Sequence, residues 1–206
     1  MLLVVMVAGY VIGSIPMGYV LVRVISGQDV RMIGSGRTGG TNAMRAAGLA
    51  AGLLTALLDL LKGAAGVWLA QWLMPLQSEP LAMSLAGLCA ILGHNYSVFL
   101  KFKGGAGGAP TVGAAMALYP WSIFVMLPVG LVVLFGVGYA SIATLSVAVV
   151  ATVLFAYRYY VIQAPLEFVL FGVGAVILLA WALRPNIGRL LRGEERQVRW
   201  RARRSK

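Results

Sequence analysis

Three polar segments carry residue types that could do chemistry. The first is Gly34-Ser35-Gly36-Arg37-Thr38-Gly39-Gly40-Thr41-Asn42-Ala43-Met44-Arg45. Its glycines let backbone N–H groups turn toward an anion. Thr41 or Asn42 is placed to cap the helix that follows, whose positive end favours a phosphate, and Arg45 in its first turns can close on that phosphate as a planar fork. No Gly-Lys-Ser/Thr follows, so this is not a nucleotide P-loop. The second segment runs from Gly93-His94-Asn95 through Lys101-Phe102-Lys103 to Gly104-Gly105-Ala106-Gly107-Gly108-Ala109-Pro110-Thr111. It is again Gly-rich ahead of a helix, with Pro110 suited to a first helical position. The third, Arg184-Pro185-Asn186-Ile187-Gly188-Arg189-Leu190-Leu191-Arg192-Gly193-Glu194-Glu195, reads alone as an interfacial amphipathic helix capped by Asn186. Asp59 and Lys62, three apart, share a helix face inside an apolar stretch, where ionisable groups are costly and usually paired. The ordinary readings are a capped Gly-rich loop, a satisfied buried histidine at His94 and a structural ion pair. The chemical reading is two anion sites and a basic segment on one membrane face, handling phosphate-bearing molecules as enzyme or carrier.

The elements that must position these segments are membrane helices. Of 206 residues, 60% are hydrophobic and 11% charged, against about 25% charged in soluble domains. Met1 to Val22, Pro80 to Leu100 and Gly104 to Tyr157 hold no charge, and about 20 apolar residues cross a bilayer. Continuous rather than alternating runs argue against a transmembrane β-barrel. Cys89 is the only cysteine and His94 the only histidine, so neither a disulfide nor a metal site is expected, and no redox motif or nucleotide fingerprint calls for a cofactor. Met1 to Val22 lacks the basic start of a signal peptide and is read as a retained span.

The expected fold is an all-α integral membrane protein, one polytopic membrane domain over residues 1–206, with about seven transmembrane helices. They fall near Leu2–Val24, Ala43–Met74, Leu81–Ser97, Ala109–Tyr119, Trp121–Val137, Ala140–Tyr157 and Pro165–Leu183. Loop one carries Arg23, Arg31, Arg37 and Arg45, and loop three carries Lys101 and Lys103. The tail over residues 184–206 carries Arg184, Arg189, Arg192, Arg196, Arg199, Arg201, Arg203, Arg204 and Lys206. Positive loops stay inside, which places the amino terminus out and the carboxyl terminus in. Lys103 and Arg184 share a side only if an even number of spans separates them, so the short Ala109–Tyr119 helix is counted as a crossing. The net charge of +11 is read as anchorage to anionic headgroups, with no nucleic acid as partner.

On these residues the chain resembles the bacterial membrane acyl-phosphate:glycerol-3-phosphate acyltransferases along nearly its whole length. That family shows Gly-Ser-Gly-Asn-x-Gly-x-Thr-Asn-x-x-Arg, then Asp-x-x-Lys-Gly, matched here by Asp59 to Gly63. Gly-His-x-x-Pro-x-Phe and Phe-x-Gly-Gly-Lys-Gly follow, and it ends in Asn-Ile-x-Arg-Leu-x-x-Gly-x-Glu, matched by Asn186 to Glu195. The resemblance implies seven spans, a site facing the cytoplasm of a bacterial inner membrane, and acyl transfer from acyl phosphate to the 1-hydroxyl of glycerol 3-phosphate. The products would be lysophosphatidic acid and phosphate, the first acylation of phospholipid synthesis. It implies catalytic roles for Ser35, Arg45 and Asn186. Substrate-binding roles fall to Thr41, Asn42, His94, Lys103, Gly104, Gly105, Ser141 and Arg189. The implied partners are acyl phosphate, glycerol 3-phosphate and membrane lipids, around a monomer. A His-x-x-x-x-Asp pair is absent, since Phe99 stands where its Asp would fall.

The chain departs from the pattern at five places. Ala106 stands for the Lys of Gly-Gly-Lys-Gly, Leu183 for a His three before the Asn, Arg37 for an Asn, Gly108 for a Val and Ser97 for a Pro. Loss of a charged contact at such a site costs about two decades in rate. The alternatives to a full enzyme are therefore a weakened or repurposed relative, a lipid- or partner-binding membrane protein, or an anionic-metabolite transporter.

Overall fold

In an apolar chain, what distinguishes the interior from the lipid face is side-chain size. The computed structural model describes residues 1–198, all helix and loop. The basic tail from residue 199, with Arg199, Arg201, Arg203, Arg204 and Lys206, lies outside the described residues. The interior is rich in alanine and glycine: Ala64, Ala70, Ala86, Ala90, Ala114, Ala115, Ala148, Ala151 and Ala175 are buried, while Leu3, Leu53, Phe124, Val132 and Ile177 are exposed. Small residues bring helix backbones close where no hydrophobic driving force separates core from solvent.

The helices are α1 (Leu2–Ser14), α2 (Met17–Ser26), α3 (Gly40–Leu73), α4 (Glu79–Asn95), α5 (Gly108–Leu118), α6 (Ile123–Gly136), α7 (Ala140–Ile162) and α8 (Leu166–Leu191). Five helical segments are long and apolar enough to cross a membrane: Leu2–Ser26, Gly40–Leu73, Glu79–Leu100, Ala140–Ile162 and Leu166–Leu191. The apolar helices Gly108–Leu118 and Pro120–Gly136 are shorter. At 11 residues, α5 spans about 16 Å. It is buried over most of its length, so protein rather than lipid surrounds it.

Four expected elements differ. The first span breaks at Ile15–Pro16 into α1 and α2, because Pro16 has no N–H to give. The helix after loop one begins at Gly40 with Gly39 as its cap, so neither Thr41 nor Asn42 caps it. It bends sharply at Ala47–Gly48, where Gly48 takes φ +88°, a left-handed value that glycine adopts without strain. The segment before this elbow folds back on the segment after it, with Gly52 facing Met44 and Gly40 closely enough that a Cβ would meet both. The last helix continues through Pro185 to Leu191, so Asn186 is a buried mid-helix residue rather than a cap. Pro110 likewise falls at the third position of α5, behind Gly108 and Ala109.

Two close seams fix the bundle. Gly9 and Gly13 of α1 lie against the Ala86 and Ala90 carbonyls of α4. Gly63 of α3 abuts Pro110 of α5, and Gly113 of α5 abuts the Leu60 carbonyl of α3. Side chains there would strike backbone, which cannot swing away. Gly113→Val is therefore expected to destabilise the protein by about 1–3 kcal/mol or more, lowering the melting temperature in detergent and broadening the size-exclusion peak. Gly136→Ala, where a Cβ meets nothing within 4 Å, serves as the tolerated control; equal melting of the two variants would contradict this packing.

Candidate functional site

The break between α1 and α2 leaves carbonyls without helical partners, and polar side chains of neighbouring helices take them. Lys62 Nζ donates to Ile15 O at 2.7 Å, and Ser97 Oγ donates to Ser14 O at 2.6 Å. Lys62 also pairs with Asp59 at 2.9 Å, both nearly fully buried. His94 Nδ1 lies 3.5 Å from the same Asp59 oxygen. The other edge of the His94 ring faces Gly105, whose Cα approaches Nε2 so closely that a Cβ would overlap it. Gly105 N in turn donates to His94 O at 2.9 Å. This buried cluster is the floor on which loop three rests.

Loop one is folded around Asn42. The buried Asn42 amide nitrogen donates to the carbonyls of Val30, Ile33 and Arg37 at 2.9, 2.7 and 2.9 Å, and its oxygen accepts from Ser35 N at 3.3 Å. Asp29 takes the Arg31 N–H at 2.9 Å and its guanidinium at 2.6 Å, which holds the Asp29 carboxyl below its ordinary range. Ser35 is left exposed, with Oγ accepting from Arg37 N at 3.4 Å.

Arg37 joins the three segments. Its Nη1 donates to Gly105 O at 2.8 Å, its Nη2 to Ala182 O at 2.5 Å and to Asn186 Oδ1 at 3.0 Å, and its Nε to Asn186 Oδ1 at 3.3 Å. Burial first, then the charge of Arg189, pulls its pKa below the ordinary guanidinium value. Arginine starts high enough to remain charged at neutral pH. The other end of the Asn186 amide donates to Glu195 Oε1 at 2.9 Å, and Ser141 Oγ donates to Glu195 Oε2 at 2.7 Å. The chain beyond α8 is held by Val198 N donating to Gly138 O at 2.7 Å.

These segments surround one cavity of about 490 Å³. Ser35, Thr41, Asn42, Arg45, His94, Ser141, Asn186 and Arg189 all line it. Lys103, Gly104 and Gly105 do not: Lys103 is exposed, and the two glycines lie against His94 and Asn95. Loop three instead reaches the cavity with Ala106, Gly107 and Gly108 at the start of α5. Gly107, at φ +89°, makes the turn into that helix. Arg37, Arg45, Arg189 and Arg196 line the cavity against Glu194, Glu195 and an Asp59 matched by Lys62. Arg45 and Arg189 have no acidic partner among the described residues. The surplus of cations suits phosphates. The rest of the cavity is greasy: Leu49, Leu53 and Ala56 of α3 face Leu131, Leu134 and Phe135 of α6. Leu49, Leu53 and Leu131 are also exposed on the molecular surface. Such a site fits a molecule that is charged at one end and aliphatic at the other.

The linking role of Arg37 and the anchoring role of Glu195 are not apparent from residue spacing. Glu195 closes the last sequence motif, which is the one signal pointing to it. Among the described residues, no group of three or more His, Cys, Asp or Glu is placed to hold a metal ion.

The family described as glycerol-3-phosphate acyltransferase matches residues 3–193. A "Glycerol-3-phosphate acyltransferase 2" of Moorella thermoacetica is 40% identical over 96% of this chain and 98% of its own length. A "Glycerol-3-phosphate acyltransferase" of Rubrobacter xylanophilus is 41% identical over 92% and 91%. A crystal structure of PlsY, an integral membrane glycerol 3-phosphate acyltransferase in its glycerol 3-phosphate form, superposes with a TM-score of 0.83 at 31% identity, covering 95% of this chain and 94% of that one. Its lysophosphatidic acid form gives 0.80 at 29% identity with the same coverage.

Loop one offers a direct check on the site's construction. Asn42→Ala removes a partner from three carbonyls and one N–H at once, at a cost of about 1–3 kcal/mol. Amide exchange over residues 30–38 is expected to speed up while exchange in α7 stays as in the parent. Unchanged exchange in loop one would show that Asn42 does not organise it.

Proposed function

The chain belongs to the glycerol-3-phosphate acyltransferase family, and on that premise we propose that it transfers a fatty acyl group from acyl phosphate to the 1-hydroxyl of glycerol 3-phosphate. The observation that carries the reading is the two-part cavity, cationic and hydrogen-bonding at one end and aliphatic at the other. The hydroxyl oxygen attacks the acyl carbonyl carbon, the carbonyl carbon–oxygen bond to phosphate breaks, and lysophosphatidic acid and inorganic phosphate leave.

The donor arrives activated, so the protein's task is to hold two phosphates in register and to meet charge as it develops on the carbonyl oxygen. Ser35, Thr41, Arg45 and Arg189 take the phosphates and polar oxygens, with Ser141 and Asn186 closing the site once Glu195 yields their donors. Asn42 and His94 serve the same site by holding loops one and three. Loop three offers Ala106, Gly107 and Gly108, at the start of α5, to a phosphate, while Gly104 and Gly105 support that turn against His94 and Asn95 and Lys103 stands at the outer rim. The departing phosphate accepts the hydroxyl proton, and a pH–rate profile governed by a protein side chain would count against that assignment. The acyl chain lies between α3 and α6.

The same reading places the protein in a bacterial inner membrane with seven crossings, α5 and α6 among them, the amino terminus outside and the site facing the cytoplasm. The positive charge of loops one and three supports this orientation. In a Cys89→Ala background, a membrane-impermeant maleimide applied to intact cells is expected to label Gln77→Cys. Lys103→Cys should react only after permeabilisation. The reverse pattern would invert the topology.

Activity is tested by phosphate release from palmitoyl phosphate with purified protein in detergent. Release is expected to depend on glycerol 3-phosphate, and Arg45→Ala to reduce it by about two decades, as for loss of a charge-assisted contact to a phosphate. Acceptor-independent release, or full activity in Arg45→Ala, would remove the reading or the assigned role respectively.

A further inference from the structure

Where loop three approaches α8, the charge that bonds both backbones is that of Arg37; Arg189, further along α8, also lines the cavity. Immediately after the two carbonyls that Arg37 holds, the lining side chains are Ala106 and Leu183, neither able to hydrogen-bond a phosphate. The guanidinium of Arg37, delivered from loop one, bonds the carbonyls of Gly105 and Ala182, the residues immediately before each of them, and the Asn186 amide. Every partner it has is a neutral oxygen, and no carboxylate pairs with it among the described residues. A guanidinium carries five N–H groups; four bonds are made, two of them by Nη2 and one by Nε. One N–H of Nη1 therefore remains, on a part-buried cation that lines the cavity. A charge partly withdrawn from water and bonded only to neutral groups is incompletely compensated, and a phosphate in the cavity would compensate it.

We propose, building on the acyl-transfer reading, that Arg37 binds a substrate phosphate at this wall, adding to Arg189 a cation that positions 106 and 183 do not provide. It is a substrate-binding residue that also ties loop one to the other two segments. The charge in this chain comes from loop one because Ala106 and Leu183 leave room for the longer side chain to cross the cavity. This accounts for three of the departures from the family pattern, at positions 37, 106 and 183, as one linked change. A lysine added at Ala106 in the presence of Arg37 would then bring a second cation into space already taken.

The test moves the charge. Wild type, Arg37→Gln, Arg37→Asn, Ala106→Lys and the double variant Arg37→Asn/Ala106→Lys are purified in detergent. Folding is followed by melting temperature, glycerol 3-phosphate binding by calorimetry without the donor, and turnover with palmitoyl phosphate. Arg37→Gln is expected to lose about a hundredfold in kcat/KM. The reactant whose KM or Kd rises tells whether the phosphate held is that of glycerol 3-phosphate or of the acyl phosphate. Ala106→Lys alone is expected to bring no gain. The double variant should recover about tenfold or more over Arg37→Asn, one decade being about 1.4 kcal/mol of transition-state binding.

A purely structural Arg37 would not be rescued by a lysine on another loop. Failure of the double variant to recover, whether folded or not, therefore overturns the proposal, as does wild-type kcat/KM in Arg37→Gln. If wild type binds glycerol 3-phosphate without turnover and Arg37→Gln loses that binding, the acyl-transfer reading falls while the assignment of Arg37 stands. Absence of binding as well as turnover in wild type overturns both.

Discussion

The arrangement rests on an ion pair buried within the helix bundle. Asp59 and Lys62, 2.9 Å apart and nearly without solvent contact, are costly to bury. Removing one member of such a pair costs about 3–5 kcal/mol, because the other is left uncompensated. Their worth here lies in what they connect. Lys62 satisfies the Ile15 carbonyl exposed by the break at Pro16, so α1 and α2 can part without an orphaned group in the membrane. Asp59 adjoins His94, and the His94 ring fixes how closely Gly105 can approach. Gly105 then presents the carbonyl that Arg37 holds. A chain of contacts thus runs from the middle of α3 to the cavity wall, each link needing the one beneath it.

That dependence explains which parts were legible in sequence. The helices were, because long charge-free runs have few other structures open to them in a membrane. Their interruptions were less so. Pro16 ended a helix while Pro185 did not, a difference that residue type does not carry; Lys62 and Ser97 donate to the carbonyls at the first, and Arg37 donates to the Ala182 carbonyl near the second. The elbow at Gly48 depends on Gly40 and Gly52 meeting, a contact that residue types suggest only once the bend is known.

The site shows the same division. The two Gly-rich loops and the Asn186 segment could be read from composition and order, and they do surround one cavity. Which side chains enter it depends on packing. Lys103 has the right charge but stands outside the cavity, whereas Arg37, which in sequence was one loop-one charge and one departure among several, lines it and reaches α8. Asn42 has the right type for a ligand contact, yet its amide is engaged by loop one's own backbone. Spacing along the chain locates a loop; the third dimension decides which of its groups face inward.

The aliphatic half of the cavity has exposed leucines on both of its flanks, Leu49 and Leu53 on α3 and Leu131 on α6. In a bilayer that flank meets lipid tails rather than water. A long-chain reactant can then arrive and depart sideways within the leaflet, its tail never crossing an aqueous phase. The quantity that sets its supply is a mole fraction in two dimensions, not a concentration in three. Two membranes holding the same total amount of acyl donor would feed the protein at different rates if one were diluted with inert lipid, while the water-soluble reactant, entering from the polar end, would be indifferent to that dilution.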